Sequence, residues 1–387
     1  MEKIFKYLKG DRTIWVITLL LLGFSIVTVY SFVPILIRTQ GGSPFSYLMK
    51  HAFYVFLGFG AMIWIHRVNP DNVQKLSKFL FFVALALLIF TFFFGVRVND
   101  ASRWIRIPYI GLTVQSSDFA KFALVIFVSR RLVTRSNDFY SWKNGFWVFA
   151  IPILLIAGLI AKDNFSTAAL IFLITAILMF IANYPISRIL SIIGIGLGAF
   201  GLLILVHVAA PSANILPRFD TWVNRFTRAY AEPSASVENM QAINAKLAIY
   251  NGGYTGVGVG QGELKLYTPE AYADFYYSSF VEEFGLISAV ILVLLYLILF
   301  YRILKIGLRA KSHFETYAAI GIALIFISQA LVNMFVSTGV MPVTGQIMPF
   351  LAMGGSAMIM SCLGLGFVQS IARKTEMEKD VNTIKPK

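Results

Sequence analysis

The chain has 387 residues, 58% of them hydrophobic and only 13% charged, with a mean hydropathy of +0.74. This excludes a soluble globular protein, whose helices need polar faces, and the single Cys362 excludes a disulfide framework. The net charge of +14 does not read as nucleic-acid binding, because 21 of the 33 Lys and Arg fall in short segments on one side of the predicted spans.

Apolar runs of about 18 or more residues recur along the chain, so lipid is its solvent. They predict an all-α polytopic membrane protein of about ten transmembrane helices, at 13–33, 48–66, 78–96, 117–134, 146–161, 166–183, 188–210, 276–301, 313–338 and 349–372. The runs are too long and too uniformly apolar for barrel strands. The first is also too long for a signal-peptide core and has no small-residue cleavage pattern behind it, so it is expected to remain as a span. The positive-inside rule then puts both termini and the tail 373–387 in the cytoplasm. It puts the large loop 211–275, between the seventh and eighth helices, on the other side.

In chain order, the first unusual outward loop is RVNDASRWIRIPYIGLTVQS at 97–116, with Arg97, Arg103 and Arg106. Asp118 and Lys121 follow at the spacing of a local helix pair. Lys162, Asp163 and Asn164 make a polar break between two spans, which suits a tight turn as well as a site. The long loop adds Arg218, Arg225, Arg228, Lys246 and Lys265. These outward cations are either solvated loop charges or a basic surface for an anionic ligand such as a phosphate-bearing lipid, and composition leaves both open. His51, His66, His207 and His313 are scattered, without metal-ligand spacing.

Within the long loop, Ala242 to Tyr250 reads as a short interfacial helix, followed by NGGYTGVGVGQGELK with Gly256 and Gly258 at its centre. Such backbone either approaches phosphate oxygens or serves as a flexible connector. No strand precedes it, so it is not a dinucleotide fingerprint. Thr268, Pro269 and Glu270 then have the pattern of a helix start. That would set Asp274 in the second turn, on the face of Glu270 and at the membrane boundary. Glu282 and Glu283 would lie about 12 Å further along the same helix. Carboxylates so placed mark a functional site or pair with buried cations to fix helix packing. Finally, STGVMPVTGQIMPFLAMGGSAM, with Pro342, Pro349, Gly354 and Gly355, interrupts the last two spans. Irregular backbone at that depth lines a cavity or packs within protein.

Four motifs in order resemble the SEDS family (shape, elongation, division and sporulation), that of FtsW and RodA, over nearly the whole chain. They are SRWI at 102–105 with VQSSDFAKFALV, the segment GGYTGVGVGQGELKLYTPEAYADF, the acidic pair in VEEFG, and TGVMPVTGQIMPFLAMGGS. KGDRTIW near the start and the long tail look more like the division-type FtsW branch. Departures are Asn164 where an aspartate is usual, Ser116 for proline, Asp118 for glutamate, and Tyr272-Ala273 for a His-Thr pair.

The resemblance implies a glycosyltransferase that polymerises lipid II into glycan strands outside the bacterial cytoplasmic membrane. It also implies a class B penicillin-binding transpeptidase as partner, together with other division or elongation proteins. Asp274 maps onto the family's essential aspartate, Arg103 and Lys121 onto basic cavity positions, and Glu282 and Glu283 onto the acidic pair. Asp274 is then the expected general base. Arg103, with Lys121, Arg218 or Lys265, is expected to face the pyrophosphate leaving group. No tightly bound cofactor is expected, although a divalent cation such as Mg2+ or Mn2+ would make Asp274 a ligand instead of a base. The rival readings are a lipid II flippase and a non-catalytic divisome scaffold. The flippase is less favoured because the richest motifs lie at the outer face and no internal repeat relates the two halves. The scaffold predicts that Asp274 substitutions are silent whenever assembly persists.

Overall fold

A computed structural model describes residues 9–98, 101–106, 113–210, 219, 222–223, 237–268 and 271–384. The described helices are α1 (Arg12–Gln40), α2 (Pro44–His66), α3 (Pro70–Phe94), α4 (Ser116–Thr134), α5 (Trp147–Ala161), α6 (Phe165–Ile181), α7 (Ile186–Ala209), α8 (Val237–Gly252), α9 (Tyr276–Arg309), α10 (His313–Thr338) and α11 (Gly355–Ile384). Eight are long and apolar enough to cross a membrane, α5 being counted with the helical turn Trp142–Phe146 that leads into it, and α6 is a shorter apolar helix. α4 carries Asp118, Lys121, Arg130 and Arg131, yet 14 of its 19 residues are buried. A span enclosed by protein can hold charges that lipid would reject.

The chain forms two compact units, and the division falls inside α10. The first comprises Met1–Asn69, Arg225–Arg309 and Phe326–Lys387. Its main seam is α2 against α11. Glycines let the backbones approach: Gly58 faces Cys362, Gly366 meets Met62 and Ile65, and Gly355 lies under the Tyr54 ring. Polar groups join the elements elsewhere. Ser25 Oγ donates to the Leu351 carbonyl at 2.9 Å and sits 2.8 Å from His51 Nε2. Asp11 caps α1 by accepting from the Ile14 amide and pairs with Arg302 at 2.5 Å, while the Gln369 side chain brackets its backbone. The exposed face of α9 from Leu286 to Tyr301 is apolar, as lipid contact requires.

The second unit comprises Pro70–Asn224 and Ala310–Ile325. α3 packs on α4 through stacked Phe81 and Phe127 rings, 4.5 Å between centroids, and Gly321 lets the start of α10 press on Val125 and Leu178. The loop at 97–116 contains a three-stranded antiparallel sheet, β1 (Val96–Val98), β2 (Ala101–Arg106) and β3 (Thr113–Gln115), which an all-α expectation did not include. β2 is central, with Trp104 opposite both Val96 and Gln115.

Several boundaries differ from expectation: α1 runs on to Gln40, α3 starts already at Pro70, and α9 runs on to Arg309. The last span begins at Gly355 and not at 349, because residues 341–354 run as irregular backbone, with Gly345 (φ +73°) and Phe350 (φ +64°) in the left-handed region. The helix foreseen at Ala242–Tyr250 is longer, running over Val237–Gly252.

Candidate active site

α9 is two helices in series. Gly285 interrupts it with φ +77° and ψ 174°, which frees carbonyls before the break and N–H groups after it. The glycine-rich segment supplies the missing partners. The amides of Val257 and Gly258 donate to the carbonyls of Glu282 and Glu283 at 2.9 and 3.1 Å. The Leu286 and Ile287 amides donate to the carbonyls of Gly253 and Tyr254 at 2.9 and 3.2 Å. Contact is close enough that a Cβ on Gly256 or Gly285 would strike the opposing backbone. The amide of Gly256 is also engaged, to the Gly252 carbonyl at 2.8 Å. The sequence left Gly256 and Gly258 either near phosphate oxygens or in a flexible connector; here the Gly258 N–H helps complete the broken helix, and that of Gly256 closes the end of α8.

The acidic pair fastens this loop. Glu282, fully buried, accepts from the amides of Glu263 and Leu264 at 3.1 and 3.2 Å, the entry to the 3₁₀ turn Leu264–Tyr267. Glu283 accepts from Lys265 Nζ and Ser31 Oγ, and Lys265 also reaches Ser31 at 2.5 Å. Lys265 is 2% exposed. Placed in the basic outer surface by its position in a loop, it is instead enclosed against α1 and α9, because an ammonium and a carboxylate taken out of water must meet. Of the two readings open for the acidic pair, pairing with a buried cation matches the contacts of Glu283, whereas Glu282 accepts from backbone amides.

Asp274 lies just outside α9. Thr268 does not start a helix: its hydroxyl bonds back to the Leu264 carbonyl at 3.1 Å, its carbonyl accepts from Ala271, and residues 271–275 are turns. Pro269 and Glu270 lie outside the described residues, as do Arg218, Arg225 and Arg228. α9 begins at Tyr276, and its cap comes from α10. Asn333 Oδ1 accepts from the Tyr277 amide at 3.2 Å, and Nδ2 donates to the carbonyls of Ala273 at 2.9 Å and Asp274 at 3.1 Å. Beside it, Phe275 packs fully buried with Ala245 of α8 and Val336 of α10, with Val332 and Val343 against them. Asp274 is thus half-buried on a turn whose backbone is fixed on either side.

The interrupted stretch before α11 packs in the same unit. Pro349 offers its carbonyl to the Tyr296 hydroxyl, the Phe350 ring lies tilted against that of Phe326 with centroids 5.1 Å apart, and Gln346 joins Gln329 at 3.4 Å. Gly354 precedes the first residue of α11, Gly355.

The second unit holds the other basic positions. Arg103 on β2 donates through Nε and Nη2 to the Asp163 carbonyl at 3.0 and 2.6 Å, hooking the sheet over the α5–α6 turn. Asn164, at the position where the resemblance has an aspartate, caps α6 through the Thr167 amide at 3.1 Å, a role open to either residue type. Arg103, Ser116, Ser117, Asp163 and Asn164 line a small pocket with Thr91 and Phe92. Lys121 pairs with Asp118 at 3.0 Å, both buried. Among the described residues, no group of three His, Cys, Asp or Glu could hold a metal ion.

Residues 11–377 match the model of the family of FtsW, RodA and SpoVE, described as cell cycle proteins. Similar relatives include proteins named probable peptidoglycan glycosyltransferase FtsW from Trichlorobacter lovleyi (30% identical, covering 96% of this chain and 95% of that protein) and Coxiella burnetii (31%, covering 95% and 97%). In fold the chain is similar to a protein solved in work on a peptidoglycan synthase complex that coordinates polymerization and crosslinking (TM-score 0.73, 21% identity, 95% and 99% covered). It is likewise similar to the rod shape determining protein RodA of Thermus thermophilus (TM-score 0.65, 20% identity, 95% and 98% covered). The chain is a multi-pass membrane protein that belongs to the FtsW, RodA and SpoVE family.

Proposed function

We propose that this chain is a peptidoglycan glycosyltransferase that polymerises lipid II at the outer face of the bacterial cytoplasmic membrane; relatives at about 30% identity that are named as peptidoglycan glycosyltransferases support the activity. The observation that carries the reading is Asp274, a half-buried carboxylate on a turn fixed by Asn333 and Phe275 at the mouth of a broken span. The acceptor's 4-hydroxyl oxygen attacks C1 of the growing strand, and its proton passes to the Asp274 carboxylate. The bond from C1 to undecaprenyl pyrophosphate breaks, and the pyrophosphate leaves with the electron pair. A neutral hydroxyl is a weak nucleophile, so a positioned base contributes about 10²–10⁴-fold. Cations lower the cost of the departing charge.

A divalent cation at Asp274 would need ligands beyond the described carboxylates and imidazoles, so no step is routed through one. Charge bias supports cytoplasmic termini and an outward long loop. A class B penicillin-binding transpeptidase is the proposed partner, in keeping with the synthase complex in which a similar fold was solved.

The test is strand synthesis from labelled lipid II by the purified protein with its transpeptidase. Asp274→Asn should lower polymer yield by at least about 10²-fold with an unchanged melting temperature. Normal strands from that variant would remove Asp274 from the chemistry, and lipid II crossing liposomes without polymer would favour transport.

A further inference from the structure

Asn333 sits in α10, five residues before the motif that begins at Thr338 and far in sequence from Asp274, and is fully buried. Its amide orientation is settled by chemistry. The Tyr277 N–H can only donate, so the atom 3.2 Å away must be the oxygen. Nδ2 then has two hydrogens for three carbonyls: Ala273 at 2.9 Å, Asp274 at 3.1 Å and Gln346 at 2.9 Å. The carbonyls of 273 and 274 are consecutive, so one hydrogen is shared between them and the other goes to Gln346. One side chain therefore caps α9, holds the peptide on both sides of the Asp274 α-carbon, and ties that turn to the irregular stretch before α11.

We infer that Asn333 is a positioning residue for Asp274, which fixes the carboxylate's height above α9 and couples it to the Gln346 backbone; this rests on the reading of Asp274 as the catalytic group. Catalytic groups displaced by about 1 Å can lose about 10²-fold in rate without losing substrate affinity. A leucine at 333 fills similar volume and removes all four hydrogen bonds. An aspartate keeps the cap acceptor for Tyr277 but turns carboxylate oxygens toward three carbonyls.

The experiment measures strand synthesis against lipid II concentration, together with hydrogen exchange of peptides spanning 271–278, for the protein–transpeptidase complex. Asn333→Leu and Asn333→Asp should each lower kcat by about 10–100-fold with KM within about twofold, and amide exchange at 271–278 should quicken by about tenfold or more. Gln329→Leu is the control. It lies one turn away in α10 and loses a buried bond to the Gln346 side chain but none to 273–277, so both readouts should stay near wild type. Should the leucine variant fail to insert, Asn333→Ser, small and still polar, carries the same comparison. A kcat near wild type in the inserted variants, a rise in KM at constant kcat, or unchanged exchange at 271–278 overturns the positioning role. Normal strands from Asp274→Asn would instead overturn the assignment of Asp274, while the exchange result would still report on the tie through Asn333.

Discussion

Lys265 and Arg103 both belong to loops expected to face outward and both look like phosphate ligands in the sequence, but the protein uses them differently. Lys265 is buried and closed into an ion pair with Glu283, with Ser31 at its side. Arg103 remains partly exposed on a strand and grips a neutral carbonyl at Asp163. The difference lies in what surrounds each. Around Lys265, α1 and α9 bring a carboxylate and a hydroxyl into a buried space. Around Arg103, a small sheet and a helix turn leave one side open to a pocket. A cation's position in a loop does not say whether it binds a ligand or holds the loop.

The largest effect that would sharpen this contrast is at Lys265. Lys265→Met strands the Glu283 carboxylate in the interior and should cost about 3–5 kcal/mol, because breaking a buried pair leaves an uncompensated charge. The Lys265→Met, Glu283→Met double variant should recover much of that loss, and thermal melting of the purified proteins measures both. If the single variant melts like wild type, Lys265 is not a fastener. At Arg103 the effect on folding should be smaller. Arg103→Ala gives up two hydrogen bonds to one carbonyl at a partly exposed position, about 1–2 kcal/mol. Arg103→Lys should keep part of it, since an ammonium cannot present the paired Nε and Nη donors. A loss at Arg103 as large as that at Lys265 would erase the distinction. Smallest is Asn164→Ala, which removes the α6 cap and should cost about 1 kcal/mol, whereas Asn164→Asp should melt within about 0.5 kcal/mol of wild type.

Most of the fold was legible because hydropathy is a local property. Even α4, with four charged side chains, announced itself by the apolar run between them. The start of α9 was not legible. Thr268, Pro269 and Glu270 carry a good local signature for a helix end, but the cap that forms comes from Asn333, 56 positions beyond Tyr277. The role of the glycines was half legible. Composition said that backbone must come close to something, and only the fold could say that the something is the broken strand of hydrogen bonds around Gly285. Asn333 itself had no signal beyond being a polar residue in an apolar span, a cue that the cost of burying amides makes worth following. Glu282 and Glu283 give the same cue more strongly, because two adjacent carboxylates cost more to bury than one amide.

The splice between the glycine-rich segment and the break at Gly285 also bears on where this protein tolerates added sequence. Four backbone bonds fix which residue of 253–258 faces which residue of 282–287. One extra residue between Gly253 and Gly258 would shift one pair of bonds against the other, and no side chain could restore it. Epitope tags, fluorescent labels or natural insertions are therefore excluded from that short stretch, although it is rich in glycine and sits in a long loop. A sequence of this family with an added residue there would have to break its eighth span elsewhere, or leave it unbroken.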